Sequence, residues 1–390
     1  MTSLPTLIAA RTGIAAFAAM GIVWGTFAAV LPDLKTMLGV DETRLGLLMF
    51  MTPLAAVTAM LLAPRLGTAM GGVALPVSVA LMALAFMLPG QASALWMFPL
   101  AMMCCGAATG LTDVLMNARV AALENERGLH LMNLTHAAYS FGYAGGAIAT
   151  GGMRNAGWSP AWVMGTAGLI ALGFAVLAAE RQGRITGLVV PKGEKAGGLG
   201  WVPVIGGAMV LIAFMTENAA ENWSALHIEK TLGGSPVEGS AAPAALALTM
   251  GFARLVGQGI VARVNPFWLM RAGAVLAAIG ALIAAVASSP AMAYAGFIVM
   301  GIGASVIAPT AFSLVGRYAQ PAARARAVAR ATLLGYFGYF FGPPTLGFLA
   351  GTFGLRAAFV FAACALMGII LLVAVMARQR PAQTGPSSPG

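Results

Sequence analysis

Apolar stretches of about 20 residues follow one another along almost the whole chain. They fall near 11–31, 44–65, 70–89, 94–121, 130–152 and 160–180, then near 201–226, 242–263, 267–287, 290–316, 326–351 and 355–377. At a rise of ~1.5 Å per residue, a helix over each stretch is long enough to cross a hydrocarbon layer roughly 30 Å thick. Inside that layer no water is available to the backbone, and a helix satisfies its own N–H and C=O groups. The sequence therefore predicts an all-α integral membrane protein with twelve transmembrane helices. Proline inside a stretch (Pro53, Pro309, Pro343, Pro344) does not disqualify it, because neighbouring helices re-satisfy the freed groups.

Composition narrows the function classes. The chain is 59% hydrophobic and 9% charged, against about 45–50% apolar residues in a soluble domain. Its formal charge of +10 lies in short connections, without a basic stripe interleaved with aromatics. Nucleic acid is therefore not an expected partner. Cys104, Cys105 and Cys364 are odd in number and lack metal spacing, so neither a disulfide nor a metal site is expected. No Gly-Lys-Ser/Thr phosphate loop and no nucleophile elbow occurs, which argues against an ATP-driven pump, an enzyme or a bound cofactor. The first apolar stretch is too long for a signal-peptide core and reads as the first span.

The connections are short except for 181–200, a polar, basic and Gly-rich segment containing Lys192, Glu194, Lys195, Gly197 and Gly198. It divides a six-helix bundle over 1–180 from a second over 201–377, and 378–390 reads as a disordered tail rich in Pro, Gly and Ser. With both termini cytoplasmic, 17 of the 22 Lys and Arg fall on that side, leaving Lys35, Arg44, Arg154, Lys230 and Arg356 outside. A multi-pass inner-membrane protein, monomeric and embedded in lipid, is expected.

The halves repeat one another. Phe141-Gly142-Tyr143-Ala144-Gly145-Gly146 in the fifth span recurs 196 positions later as Phe337-Gly338-Tyr339-Phe340-Phe341-Gly342 in the eleventh. Leu38-Gly39 after the first span matches Leu232-Gly233 after the seventh. Parallel repeats about an axis along the membrane normal describe one large transporter architecture. On these residues the chain resembles the major facilitator superfamily. Gly338-x-x-x-Gly342-Pro343 is similar to its Gly-Pro packing motif, usually found in span 5. Ala63-Pro64-Arg65-Leu66-Gly67 is a degraded form of its loop 2–3 signature, without the acid. Arg254-Leu255-Val256-Gly257-Gln258 is the counterpart, with Gln258 where an Asp is common. The resemblance implies gating roles for Arg65, Arg254 and Gln258, weakened by those losses. Asp113-Val114-Leu115-Met116-Asn117 and Glu217 to Leu226 further resemble a bacterial branch that includes a rhizopine-associated membrane protein and is distantly similar to fucose permeases.

Three acids lie within spans: Asp113, Glu217 and Glu221. A carboxylate there costs roughly 2.5–3.5 kcal/mol on the mildest scale, and such groups usually mark pathways or proton relays. Asp113 and Asn117 share a face of span 4. On span 5, Asn133, His136 and Tyr143 climb through similar depths, which brings His136 within reach of Asp113 as a proton-sensitive pair. Glu217 and Glu221 share a face of span 7, Glu221 near the outer mouth, and like charge disfavours ionising both. Asn218, Asn222 and Trp223 surround them, with Trp24 on span 1 at similar height, suiting a polyhydroxylated or amine-bearing solute. Asp113, His136, Glu217 and Glu221 are the proton-coupling candidates. Trp24, Asn117, Asn133, Tyr143, Asn218, Asn222 and Trp223 are the solute-binding ones. The chain is read as a secondary transporter for a small polar organic solute, a symporter coupled to H⁺ with Na⁺ as the alternative ion. The alternative function is a proton-driven efflux pump for amphiphilic or cationic drugs.

Overall fold

The computed structural model describes residues 4–129, 131–180, 183–185, 200–261, 263–319 and 323–379. The segment 181–200 therefore lies largely outside the described residues, as does the tail from 380 onward. The first half comprises α1 (Leu4–Leu38), α2 (Glu42–Met49), α3 (Met51–Met70), α4 (Ala74–Ala85), α5 (Met97–Arg127), α6 (Met132–Asn155) and α7 (Pro160–Leu177). The second comprises α8 (Val202–Leu226), α9 (Pro236–Val261), α10 (Pro266–Val286), α11 (Pro290–Ala304), α12 (Ile307–Tyr318), α13 (Arg324–Phe353) and α14 (Leu355–Ala377). A π-helical turn, His227–Thr231, extends α8.

Fourteen helices make twelve spans because two spans are broken by the same device. Pro53 and Pro309 sit at the third position of α3 and α12. Neither can donate to the carbonyl four residues back, and the ring clashes with it. The chain bends at Phe50 and at Ser305–Val306, then resumes as helix. Nine stretches of the described residues are long and apolar enough to cross a membrane by composition, one of them, Glu42–Gln91, covering the second and third spans together. The two spans missing from that set are α6 and α13, the corresponding members of the two halves.

Those two helices are polar and Gly-rich because they pack closely on a partner. Gly142 of α6 lies against the backbone carbonyl of Ala18 on α1, and Gly338 of α13 against that of Leu211 on α8. A Cβ at either position would strike the facing backbone. The sequence repeat thus corresponds to a repeated helix pair, α1–α6 and α8–α13. Large apolar side chains such as Leu61, Val176 and Leu371 point outward, where lipid replaces water as solvent.

The chain termini define one face of the bundle, here the terminal face; the other is the distal face. The halves meet at the distal ends of their helices. Gly46 of α2 touches Pro343 and Gly347 of α13, and Gly151 of α6 touches Val237 and Ser240 of α9. Nearer the middle, Phe50 meets Phe340 at 4.3 Å and Phe141 meets Phe252 at 5.2 Å between ring centroids.

Candidate functional site: a cavity between the halves

Single faces of several helices converge on a cavity of about 320 Å³ between the two halves. Helix α1 contributes Phe17, Met20 and Trp24, and α6 contributes His136, Tyr139, Ser140 and Tyr143. From the second half come Glu217, Asn218, Glu221 and Asn222 of α8, Met250 and Arg254 of α9, and Tyr336, Tyr339 and Pro343 of α13. Spacings of three, four and seven place each set on one helix face. A volume of this size lies at the small end of ligand sites, about 300–1,000 Å³.

Asp113, on α5, has both carboxylate oxygens engaged. Asn117 Nδ2 donates to Oδ1 at 3.1 Å, and the Tyr336 hydroxyl donates to Oδ2 at 2.9 Å. Tyr336 belongs to the other half, so this bond ties α5 to α13 across the cavity. The acids of α8 are held differently. Arg254 Nη2 stands 4.0 Å from Glu217 Oε1, an ion contact too long for a hydrogen bond. Glu217 Oε1, Asn218 Oδ1, Tyr143 Oη and Arg254 Nε are buried without a hydrogen-bond partner in the protein. Buried polar atoms are normally satisfied, and one left open costs about 1–3 kcal/mol. With Thr52 Oγ1 and Thr109 Oγ1, six such atoms on residues lining one cavity fit a site whose partner is a solute or water.

The walls are unlike. Five methionines (Met20, Met49, Met60, Met102, Met116) come from the first half and one, Met250, from the second. Aromatic rings close the space: Trp24 packs edge-on to Phe86 at 5.0 Å, and Phe214 stacks on Tyr339 at 4.7 Å.

Of the residues singled out in the sequence, Asp113, His136, Glu217, Glu221, Trp24, Tyr143, Asn218, Asn222 and Arg254 line this cavity. Several expectations are corrected. His136 is not paired with Asp113: its ring packs on Phe17 at 4.7 Å, while Asp113 is bonded to Asn117 and Tyr336. Glu221 lies in the cavity rather than at an outer mouth, because α8 and its π-helical turn continue to Thr231. Trp223 is fully buried in the apolar core and does not line this cavity. It follows Asn222 by one residue, 100° around the helix. Asn133 is exposed at the start of α6, and Asn117 is spent on its own helix, donating also to the Asp113 carbonyl at 2.8 Å. Arg65 is exposed on α3, away from the cavity, and Arg254 faces solute space rather than a membrane-surface latch. The Gln258 side chain lies outside the described residues.

Sequence reasoning missed Tyr139, Tyr336 and Tyr339. A signal for the last existed, since Tyr339 is the repeat mate of Tyr143. Two arginines toward helix ends are buried in ion-pair clusters. Arg119, 5% exposed, donates to Glu180 at 2.7 Å and Glu126 at 3.0 Å, joining the terminal ends of α5 and α7. Arg154, at the distal end of α6, donates to Asp33 of α1 at 2.6 Å and to Glu229 of the second half at 2.6 Å. It also reaches the Ala29 carbonyl at 2.8 Å. This cluster links the halves where they close.

Comparison with known proteins agrees with this architecture. A family profile described as Major Facilitator Superfamily matches residues 205–390. An uncharacterised MFS-type transporter of Yersinia pestis is 30% identical over 381 residues, covering 93% of each chain. Membrane protein MosC of Rhizobium meliloti is 24% identical, covering 87% of this chain and 83% of its own. Among solved structures, the nucleoside transporter NupG superposes with a TM-score of 0.77 at 13% identity, covering 96% of this chain and 100% of that one. A D-xylose-proton symporter gives 0.75 at 15%, covering 97% and 98%. At those identities the structures speak for the fold alone. The relative from Yersinia pestis, matched over 93% of each chain, carries the family assignment: this chain is a multi-pass membrane protein of the major facilitator superfamily, a transporter and not an enzyme.

Proposed function

We propose that the protein is a proton-coupled secondary active transporter that moves a small polar organic solute (sugar-, inositol- or amine-like) by alternating access. The observation that carries this reading is the cavity between the halves, which holds Asp113 from one half and Glu217 and Glu221 from the other. Acids kept in a membrane interior at such cost mark solute or proton pathways. Asp113 is bonded across the halves to Tyr336, so a proton on Asp113 would alter a contact between the two halves. A site differing between two states is what lets a ligand shift their populations. The named activities of the structural neighbours, nucleoside transport and D-xylose–proton symport, are compatible with a polar solute. The excess of Lys and Arg on the terminal face supports cytoplasmic termini in an inner membrane.

A thermal-shift screen of sugars, inositols, amino acids and amines on the purified protein finds the solute, because a ligand of the folded state raises apparent stability. Uptake of that solute into proteoliposomes is then driven by a pH gradient, with a Na⁺ gradient as comparison. Asp113→Asn and Glu217→Gln are each expected to abolish pH-driven uptake. Undiminished pH-driven uptake in both variants refutes the coupling.

A further inference from the structure

An arginine and a glutamate stand side by side in the cavity without closing on each other. Arg254 Nη2 lies 4.0 Å from Glu217 Oε1, beyond hydrogen-bond length. Each keeps an atom that the protein leaves open: Arg254 Nε and Glu217 Oε1 have no hydrogen-bond partner within it, and neither has Asn218 Oδ1, the next residue of α8. Glu217 is 5% and Asn218 6% exposed, and all three residues line the cavity. Open valences on buried charged groups cost more than on neutral ones. The pair asks for a ligand that brings an acceptor to the guanidinium and a donor to the carboxylate within one small head.

The rest of the cavity disfavours solutes that carry only one of those charges. Asp113, Glu217 and Glu221 set three carboxyl groups against the one guanidinium of Arg254. The partners of Asp113, Asn117 and Tyr336, are neutral, and His136 packs on Phe17. A solute with only a negative charge enters a space already rich in acid. One with only a positive charge leaves Arg254 Nε open. A zwitterion adds no net charge and closes both. In an α-amino acid the ammonium nitrogen and the nearer carboxylate oxygen are roughly 3 Å apart by bond lengths, which suits partners separated by 4.0 Å. Tyr339, on the helix packed against α8, adds an aromatic face that favours the ammonium. The wall from the first half presents five methionines, which adapt to apolar bodies of differing shape.

We propose that the cavity takes an α-amino acid as its zwitterion, with the carboxylate on Arg254, the ammonium on Glu217 and Asn218, and an apolar side chain against the methionine wall. The proposal rests on the cavity being the solute site. Within the amine-like class it adds a required carboxylate, and it makes Arg254 the residue that recognises it.

The test titrates L-leucine, L-methionine and L-phenylalanine into purified full-length protein in detergent, with binding read by calorimetry. Each is compared with its methyl ester, which keeps the ammonium and loses the carboxylate, and with its N-acetyl form, which keeps the carboxylate and loses the ammonium. Buffer at about pH 6 keeps the ester protonated, since α-amino groups titrate at about 7.7–8.0. At least one of the three amino acids is expected to bind, with both of its analogues at least about tenfold weaker, because each analogue forfeits one charge-assisted partner. Arg254→Gln should bring the Kd values of amino acid and ester together, and Glu217→Gln those of amino acid and N-acetyl form. The comparison of analogues is read on the unaltered protein, so a variant that fails to fold does not obscure the outcome. Binding by none of the three amino acids, or an analogue within tenfold of its parent, overturns the proposal. So does a folded Arg254→Gln protein that still discriminates fully against the ester. Such failures leave transport of a sugar, an inositol or a simple amine standing, which pH-driven uptake with Asp113→Asn and Glu217→Gln in proteoliposomes judges separately.

Discussion

Glu229→Gln should loosen the distal closure of the two halves without disturbing either half. In the structure the Arg154 guanidinium, 1% exposed, forms two bonds to Asp33 (2.6 and 2.7 Å) within its own half. It forms two to Glu229 (2.6 and 3.0 Å) across the interface. Glutamine is isosteric and keeps one acceptor, but it removes the charge and turns an amide N–H₂ toward the guanidinium. A hydrogen bond to a charged group contributes about 1.5–3 kcal/mol, so a net loss of about 2 kcal/mol is expected. Arg154 keeps Asp33 and is not left unpaired, which avoids the larger penalty of an orphaned buried charge. The loss falls only on the arrangement in which the distal ends meet. At 1.4 kcal/mol per factor of ten it shifts the closed-to-open ratio roughly 30-fold, and a distal-open population of about 1% becomes about a quarter. The assay is pulsed dipolar spectroscopy between spin labels at Ser159 and Ser289, exposed at the distal ends of the first and second halves, after replacing the exposed Cys104 and Cys364. Asp33→Asn, which weakens a bond within one half, should move the distribution less. Superimposable distance distributions for the unaltered and Glu229→Gln proteins would refute this account of the closure.

Gly25→Ala should lower the melting temperature by several degrees, since its Cβ would collide with the Tyr143 carbonyl on α6 and overpacking costs about 1–3 kcal/mol. Trp223→Ala should cost about 3–5 kcal/mol of stability as a core truncation, whereas Trp223→Phe should retain solute affinity, because Trp223 does not line the cavity between the halves; loss of affinity in a folded Trp223→Phe protein would contradict that placement. Asn218→Ala should raise the solute Kd by about threefold to tenfold, the worth of one hydrogen bond, while Asn133→Ala leaves it unchanged.

Much of the fold was legible because hydropathy is a property of a segment and needs no neighbour. Twelve stretches were readable one at a time, and the breaks at Phe50 and Ser305–Val306 follow from Pro53 and Pro309 three residues on. Even the polar character of α6 and α13 was visible as a repeated Phe-Gly-Tyr motif, whose Gly packs on the preceding partner helix and whose Tyr faces the cavity. Less of the site was legible. The i, i+4 rule placed Glu217 with Glu221 and Asn218 with Asn222 on shared faces, but it says nothing about which way a face turns. Trp223, one residue beyond Asn222, therefore looked like a solute contact and is core. Arg254 and Arg154 looked like membrane-surface charges because arginine near a span end usually snorkels to water. Here one turns into the cavity, and the other is enclosed by carboxylates and a carbonyl.

By itself the sequence determined that the chain is helical, crosses a membrane and places three acids where water is scarce, because those outcomes depend on the solvation of each residue type. The tertiary structure decided what the acids are for one another. It gave Asp113 a tyrosine 223 positions away, gave Glu217 an arginine at arm's length, and gave Glu229 an arginine from the other half. Those partners are set by the rotation of each helix about its own axis, which is fixed by close packing against neighbours and not by any property of the helix alone.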